Sequence, residues 1–262
     1  RTTPGGRQGE KREDRLRRQV LDPARHFAAF DLENTLIASN VVASYAWLAT
    51  RRLPNEDRVR FVLRTLAEAP SLLALDRRDR SDFLRYFYRR YRHAPVDQIE
   101  ADTAEMFSDL ILAKAFPAAI RRVREHRALG HRTVLITGAL DFVVKPLEPL
   151  FDHIIAAHLG TSNGEYDGRL TAVPPTGETR AQALRDYADE HGFSLRESVA
   201  YADSSSDLPM LEAVGFPVAV NPETRLANIA RKRGWLIEDF AKSPGGPLKP
   251  LPLAPLLGRS RS

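Results

Sequence analysis

Four short apolar runs constrain the fold of this chain more than any other feature. They are His26–Phe30 (HFAAF), Thr133–Ile136 (TVLI), Ser198–Ala202 (SVAYA) and Pro217–Val220 (PVAV). Each is nearly continuous in apolar residues rather than alternating, which is the pattern of a parallel strand covered on both faces. Helical stretches precede the last three: Ala118–Ala128, Glu178–His191 and Leu208–Ala213. Strand–helix alternation of this kind predicts an α/β fold, a Rossmann-like doubly wound parallel sheet. Residues 40–114 contain no convincing strand and read as several helices, with breaks near Pro54, Pro70 and Pro95. The expected organisation is an α/β core of residues 26–39 and 115–242 with a helical cap, 40–114, inserted over the sheet. Residues 1–25 read as a flexible basic lead-in with a short charged helix. Residues 243–262 carry a proline every two or three positions and read as an extended tail or linker.

Composition narrows the chemistry. With no cysteine, disulfides, thiolate metal sites and a cysteine nucleophile are excluded. No stretch approaches 18 uncharged apolar residues, so no membrane span is expected. No leader pattern is seen, and the expected location is cytoplasmic. The net charge of +5 is concentrated in residues 1–26, where eight Lys or Arg face four Asp or Glu. The remainder is near neutral, so the basic arm reads as solvated chain and nucleic acid is not an expected partner.

Ligands of open α/β sheets bind beyond the carboxyl ends of the strands. The polar residues there are Asp31-Leu32-Glu33-Asn34-Thr35, Thr137-Gly138 and Asp203-Ser204-Ser205-Ser206-Asp207. A carboxylate attacks a phosphate monoester productively because aspartyl-phosphate is hydrolysable, but two anions need a cation between them. Asp31 and Asp203 on neighbouring strands suit a hard, oxygen-liganded ion, and Mg²⁺ is the expected cofactor. The Thr137 hydroxyl and nearby N–H groups would hold phosphoryl oxygens, with Arg180 as the long cation of the clamp. Glu33 would protonate the leaving oxygen and later activate water.

These residues carry a resemblance. FDLENTLI resembles the first motif of the haloacid dehalogenase superfamily, DxDxT. LITG at 135–138 is similar to its second motif, and YADSSSDLPMLEAVGFPVAVNPE at 201–223 to its fourth, in the phosphoserine-phosphatase-like subfamily IB. A cap between motifs one and two is also that subfamily's arrangement. The resemblance spans roughly residues 26–240. It implies Asp31 as nucleophile and metal ligand, and Glu33 as acid/base whose backbone carbonyl also meets the metal. It implies phosphate binding by Thr137 and Gly138, metal binding by Asp203, and Asp207 ordering the metal shell or the clamp. Two positions depart from the pattern. Glu33 stands where the family usually has Asp, a longer arm for the proton donor. Arg180 stands where the third motif usually has Lys, keeping the charge with a forked geometry. The expected activity is hydrolysis of a small phosphorylated substrate. The alternative is a non-catalytic or weakly active phosphate-ligand-binding module, because similar chains occur covalently fused to reductase or acyltransferase domains of lipid metabolism.

Overall fold

A computed structural model describes residues 12–241 of the protein. Its strands are β1 (Phe27–Phe30), β2 (Arg132–Leu140), β3 (His153–Ala157), β4 (Leu159–Ser162), β5 (Glu165–Leu170), β6 (Val199–Ala202), β7 (Phe216–Val220) and β8 (Leu236–Glu238). Six form one parallel sheet in the order β3-β2-β1-β6-β7-β8, while β4 and β5 pair as an antiparallel hairpin. The helices are α1 (Arg12–Val20), α2 (Val41–Thr50), α3 (Asn55–Arg78), α4 (Arg80–Tyr88), α5 (Val96–Met106), α6 (Pro117–Ala128), α7 (Asp141–Val144), α8 (Gly177–His191), α9 (Leu208–Ala213) and α10 (Thr224–Arg233). The fold is the α/β arrangement expected, with helices on both faces.

All four residues of β1 and of β6 are buried. Their period-two geometry sends Ala28 and Phe30 to one face and Phe27 and Ala29 to the other. The first face meets α1, α6 and the helices of residues 41–112, and the second meets α8, α9 and α10. On the first face the Phe30 and Tyr201 rings stack with centroids 4.5 Å apart. The Tyr201 hydroxyl then joins a polar chain inside the core. Arg122 donates to it at 3.4 Å, His126 Nε2 lies 2.7 Å away, and His126 Nδ1 lies 2.7 Å from His131 Nδ1. Arginine has only donors, so Tyr201 passes its own hydrogen to His126 Nε2, and His126 donates onward from Nδ1.

Three departures from the sequence reading have physical causes. Residues 12–20, expected within a flexible lead-in, form α1 and dock on the sheet edge. Val20 is buried there, and Arg17 Nε donates to Glu238 at 2.9 Å. Residues 1–11 and the tail 243–262 lie outside the described residues. Pro54 and Pro95 do precede helices, but α3 runs through Pro70, which sits on its exposed side. The opposite side of α3 packs through Leu72, Phe61 and Leu75, and that burial offsets the proline's missing hydrogen bond. The strands β4, β5 and β8 escaped the reading because they are short or polar, and β3, apolar but at the sheet edge, had no helical pattern before it to mark it as a strand. No helix among the described residues is long and apolar enough to cross a membrane.

Burial, with His131 and Arg122 nearby, lowers the pKa of His126 to about 2. The unfolded chain takes up this proton near pH 6.5 and the folded one refuses it, so stability falls as the pH drops below 6.5, by up to about 1.4 kcal/mol per pH unit. His126→Gln should flatten the acid-side fall of the urea midpoint between pH 6.5 and 4 by up to one proton's worth.

Candidate active site

The sheet order makes the site. β1 and β6 are neighbours and parallel, so the residues following them, Asp31 and Asp203, emerge side by side. Asp31 N–H donates to the Tyr201 carbonyl at 3.0 Å, which continues the ladder one step beyond β1. The loop after Asp31 turns sharply at Asn34, whose φ of 54° is left-handed and tolerated best by Asn or Gly. Asn34 N–H reaches the Ile37 carbonyl at 2.7 Å, and its side chain bonds to Asp203. On the other side of β1, the pairing of β2 with β3 slips between Ile136 and Leu140. Thr137 and Gly138 sit in that irregularity, within the strand as assigned rather than after it. Thr137 Oγ1 accepts from Ala139 N–H at 3.1 Å, so its own O–H remains a donor.

Three carboxylates converge here. Asp31, Asp203 and Asp207 each offer an oxygen, all within 4.8 Å of one another. Arg180, in the first turn of α8, is buried among them: its Nη1 lies 2.8 Å from Asp31 Oδ1 and also bonds Asp207. Its Nε donates to the Pro175 carbonyl at 3.2 Å, which fixes the fork. Glu178 and Asp186, on the same helix, are engaged by Arg185 and Gln182. Burial raises the pKa of Asp31 against the pull of Arg180. Burial and the charges of Asp31 and Asp207 push Asp203 up to about 8, and burial raises Asp207 to about 7 despite Arg180. One guanidinium thus pairs with two of the three carboxyls, and Asp203 has no cationic partner among the described residues. The deficit of positive charge and the all-oxygen donor set fit a divalent ion such as Mg²⁺.

Glu33 is placed differently. Its side chain points to the helical insertion, where Oε1 accepts from Val41 N–H at 2.7 Å and Oε2 pairs with Arg80. Burial raises its pKa and Arg80 opposes that. Arg80 opens α4, which lies along the site and holds the core at further points. Ser81 Oγ is 2.7 Å from Thr176 Oγ1, and Tyr88 O–H donates to the Gly138 carbonyl at 2.8 Å. A β-carbon on Gly138 would stand 2.7 Å from Leu84 Cδ1, so glycine permits this close approach. Arg80 and Tyr88 were not legible as site residues in the sequence, and Asn34 was legible only as part of the polar segment after β1. Nothing in the pattern of α4 distinguishes Arg80 from the other arginines of the insertion. Between Glu33 and the insertion remains a cavity of about 10 Å³, room for one water, lined by Ile37, Ser39, Tyr88, Ile111 and Val143 among others.

This geometry can be set beside known proteins. The family model of haloacid dehalogenase-like hydrolases matches residues 28–212. The chain belongs to the haloacid dehalogenase-like hydrolases. Among relatives in this family, an inhibition of morphological differentiation protein of Streptomyces azureus is 32% identical over 224 residues, covering 81% of this chain and 78% of that one. A Mycobacterium tuberculosis chain named as a probable phosphatase is 31% identical over 224 residues, covering 84% and 77%. A solved Bordetella pertussis protein of unknown function superposes with a TM-score of 0.72 at 27% identity, covering 82% of this chain and 99% of that one. The matched span of the family model begins in β1 and ends in α9, so it contains Asp31, Thr137, Arg180, Asp203 and Asp207.

The raised Asp203 has a measurable consequence for this hydrolase fold. Its carboxyl ionises near 3.8 in the unfolded chain and only near 8 in the folded one, so its contribution to stability is lost as pH climbs through that window. In EDTA, Asp203→Asn should melt several degrees above wild type at pH 8 and lose that advantage at pH 4. Adding Mg²⁺ should raise the melting temperature of wild type and not of the variant.

Proposed function

We propose that this chain hydrolyses small phosphate monoesters through an aspartyl-phosphate on Asp31, with Mg²⁺ as cofactor. The observation that carries the reading is the cluster of Asp31, Asp203 and Asp207, with Arg180 bonded to Asp31 and Asp207, at the end of a strand that pairs with the one carrying Thr137. Asp31 and Asp203, with the Glu33 carbonyl, would hold the ion. Its positive charge would offset the repulsion between the dianionic ester and the attacking carboxylate.

The rest of the chemistry belongs to the chain. An Asp31 oxygen attacks phosphorus in line with the ester oxygen, and the P–O ester bond breaks as the new P–O bond forms. Thr137 O–H and the N–H groups at Gly138 donate to the equatorial oxygens, where charge builds up. Arg180 anchors Asp31 and Asp207, so that the nucleophile presents one fixed oxygen. Glu33 gives its proton to the departing alkoxide, and burial favours the protonated form that this step needs. In the second half, Glu33 takes a proton from water, the water oxygen attacks phosphorus, and phosphate leaves with Asp31 restored.

The one-water cavity sets a condition on turnover: α4 and its neighbours must move away from the core to admit a leaving group and release it. The leaving-group side is mostly apolar, and Ser39 Oγ, buried there without a partner among the described residues, offers a polar contact. That favours a leaving group with an apolar body and few polar atoms.

A second reading, a phosphate-ligand-binding module without turnover, is favoured by one observation: both Glu33 oxygens are engaged by Arg80 and Val41. Phosphate release from a panel of monoesters, in Mg²⁺ and in EDTA, separates the two. For a phosphatase, release is metal-dependent and Asp31→Asn abolishes it with the fold intact. Glu33→Gln then slows it by about 10²–10⁴-fold. If wild type releases no phosphate above the Asp31→Asn blank while binding Mg²⁺, and Glu33→Asp gains release, the binding module is the correct reading.

A further inference from the structure

The long insertion helix α3 has two apolar sides, and only one is used. Towards its own domain it buries Leu72 and sets Phe61 against Tyr45, ring centroids 6.0 Å apart. Away from it, Val59, Leu63, Leu66 and Leu73 stand 47%, 61%, 61% and 55% exposed. With Pro70 and Arg77, this outer row advances by four, three, four, three and four residues. That alternation is the seam of two packed helices. Beside its middle and C-terminal part the flanking positions are small, Ala67 and Ala74, so a second backbone can approach closely there, while Arg60 holds the same position one heptad earlier.

Charge tells which helix fits. The first turn of α3 carries Glu56 and Asp57, and the last carries Arg77 and Arg78. The side chains of Glu56, Arg77 and Arg78 have no partner among the described residues. A second α3 laid parallel would set like charges together at both ends. Laid antiparallel, it sets each acidic end against a basic one and opposes the helix dipoles favourably. A lipid surface would be met by a broad apolar face with basic residues along both margins, whereas this row is narrow and begins at an acidic turn.

We infer that α3 is a homodimer interface, paired antiparallel with the α3 of a second copy of this chain along a seam of about 27 Å. In this register Leu63 lies against Leu73 of the second copy and Leu66 against its Pro70. Val59 lies under its Arg77, which reaches Glu56. Asp76, on the same helix, holds Arg80 Nη1 at 2.8 Å, so pairing would also steady the helix end from which Arg80 grips Glu33. The inference does not depend on turnover.

Sedimentation velocity from about 1 to 100 µM, the range over which small interfaces dissociate, tests it. Wild type should pass from monomer to dimer. Leu63→Glu/Leu66→Glu should stay monomeric, with its thermal melt nearly unchanged because both side chains are exposed. Since the chain lacks cysteine, single cysteines report the direction of pairing. Under mild oxidation, Leu63→Cys mixed with Leu73→Cys should cross-link, and neither should cross-link alone. A monomer at every concentration overturns the inference, as does a dimer that survives Leu63→Glu/Leu66→Glu. Self-cross-linking of each single-cysteine chain, or a monomer that sediments with phosphatidylglycerol vesicles through these leucines, would overturn it as well.

Discussion

Asp31, Asp203 and Asp207 repel one another, and the Arg180 guanidinium is the cation that lets them stand together in the interior. Much of the core can be understood as the means of delivering these four groups to one point. Two carboxylates come from adjacent parallel strands, because β1 and β6 pair without an intervening strand. The third ends a single 3₁₀ turn, Ser205–Asp207, whose start is held by Ser204 capping Ser206 N–H. The arginine comes from the other face, in the first turn of a helix that begins at Gly177, where φ is 51°. Removing Arg180 would leave Asp31 and Asp207 without their cation, which costs more than a mean contact energy suggests. The balance is incomplete in the protein alone, and the proposed divalent cation would complete it.

The insertion holds the site at points spaced along one helix. Arg80, Ser81, Leu84 and Tyr88 recur at helical intervals, so one face of α4 addresses Glu33, Thr176 and Gly138 at once. A rigid helix with several contacts to the core releases them together or not at all, which suits a two-state lid. The β4–β5 hairpin is fastened to the same unit by backbone hydrogen bonds, among them His93 N–H to the Tyr166 carbonyl and Val96 N–H to the Gly164 carbonyl. Movement of the insertion must therefore carry the hairpin or break those bonds.

How much of this was legible follows from physical scale. The four central strands were visible because burial on both faces demands continuous apolar runs, and three of the core helices were visible between them. Asp31, Thr137, Asp203 and Asp207 were visible because they follow or interrupt those strands. Arg180 was visible as a charge of the right type, but its burial was not. The direction of Glu33 was invisible, because it is set by Val41 and by an arginine 47 residues away. Short polar edge strands such as β5 gave no signal, since an edge needs only half a ladder and little burial. The docking of α1 was hidden by its charge: eight of its nine residues face water at least in part, and Val20 alone is fully buried.

The central position of β1 bears on how the chain is made. Its partners lie far ahead in the sequence: β2 begins about a hundred residues later and β6 about 170 residues later. At ribosomal rates of about 5–20 residues per second, the first partner takes roughly 5–20 s to emerge, and the second longer. Through that interval Phe27–Phe30 is an apolar segment with two unsatisfied edges. The helices of residues 41–112 are synthesised meanwhile, and their contacts are local enough to form before the sheet closes. The strand that leads into Asp31 is therefore the one that must be shielded during translation, and a neighbouring nascent chain competes with β2 for the same hydrogen bonds.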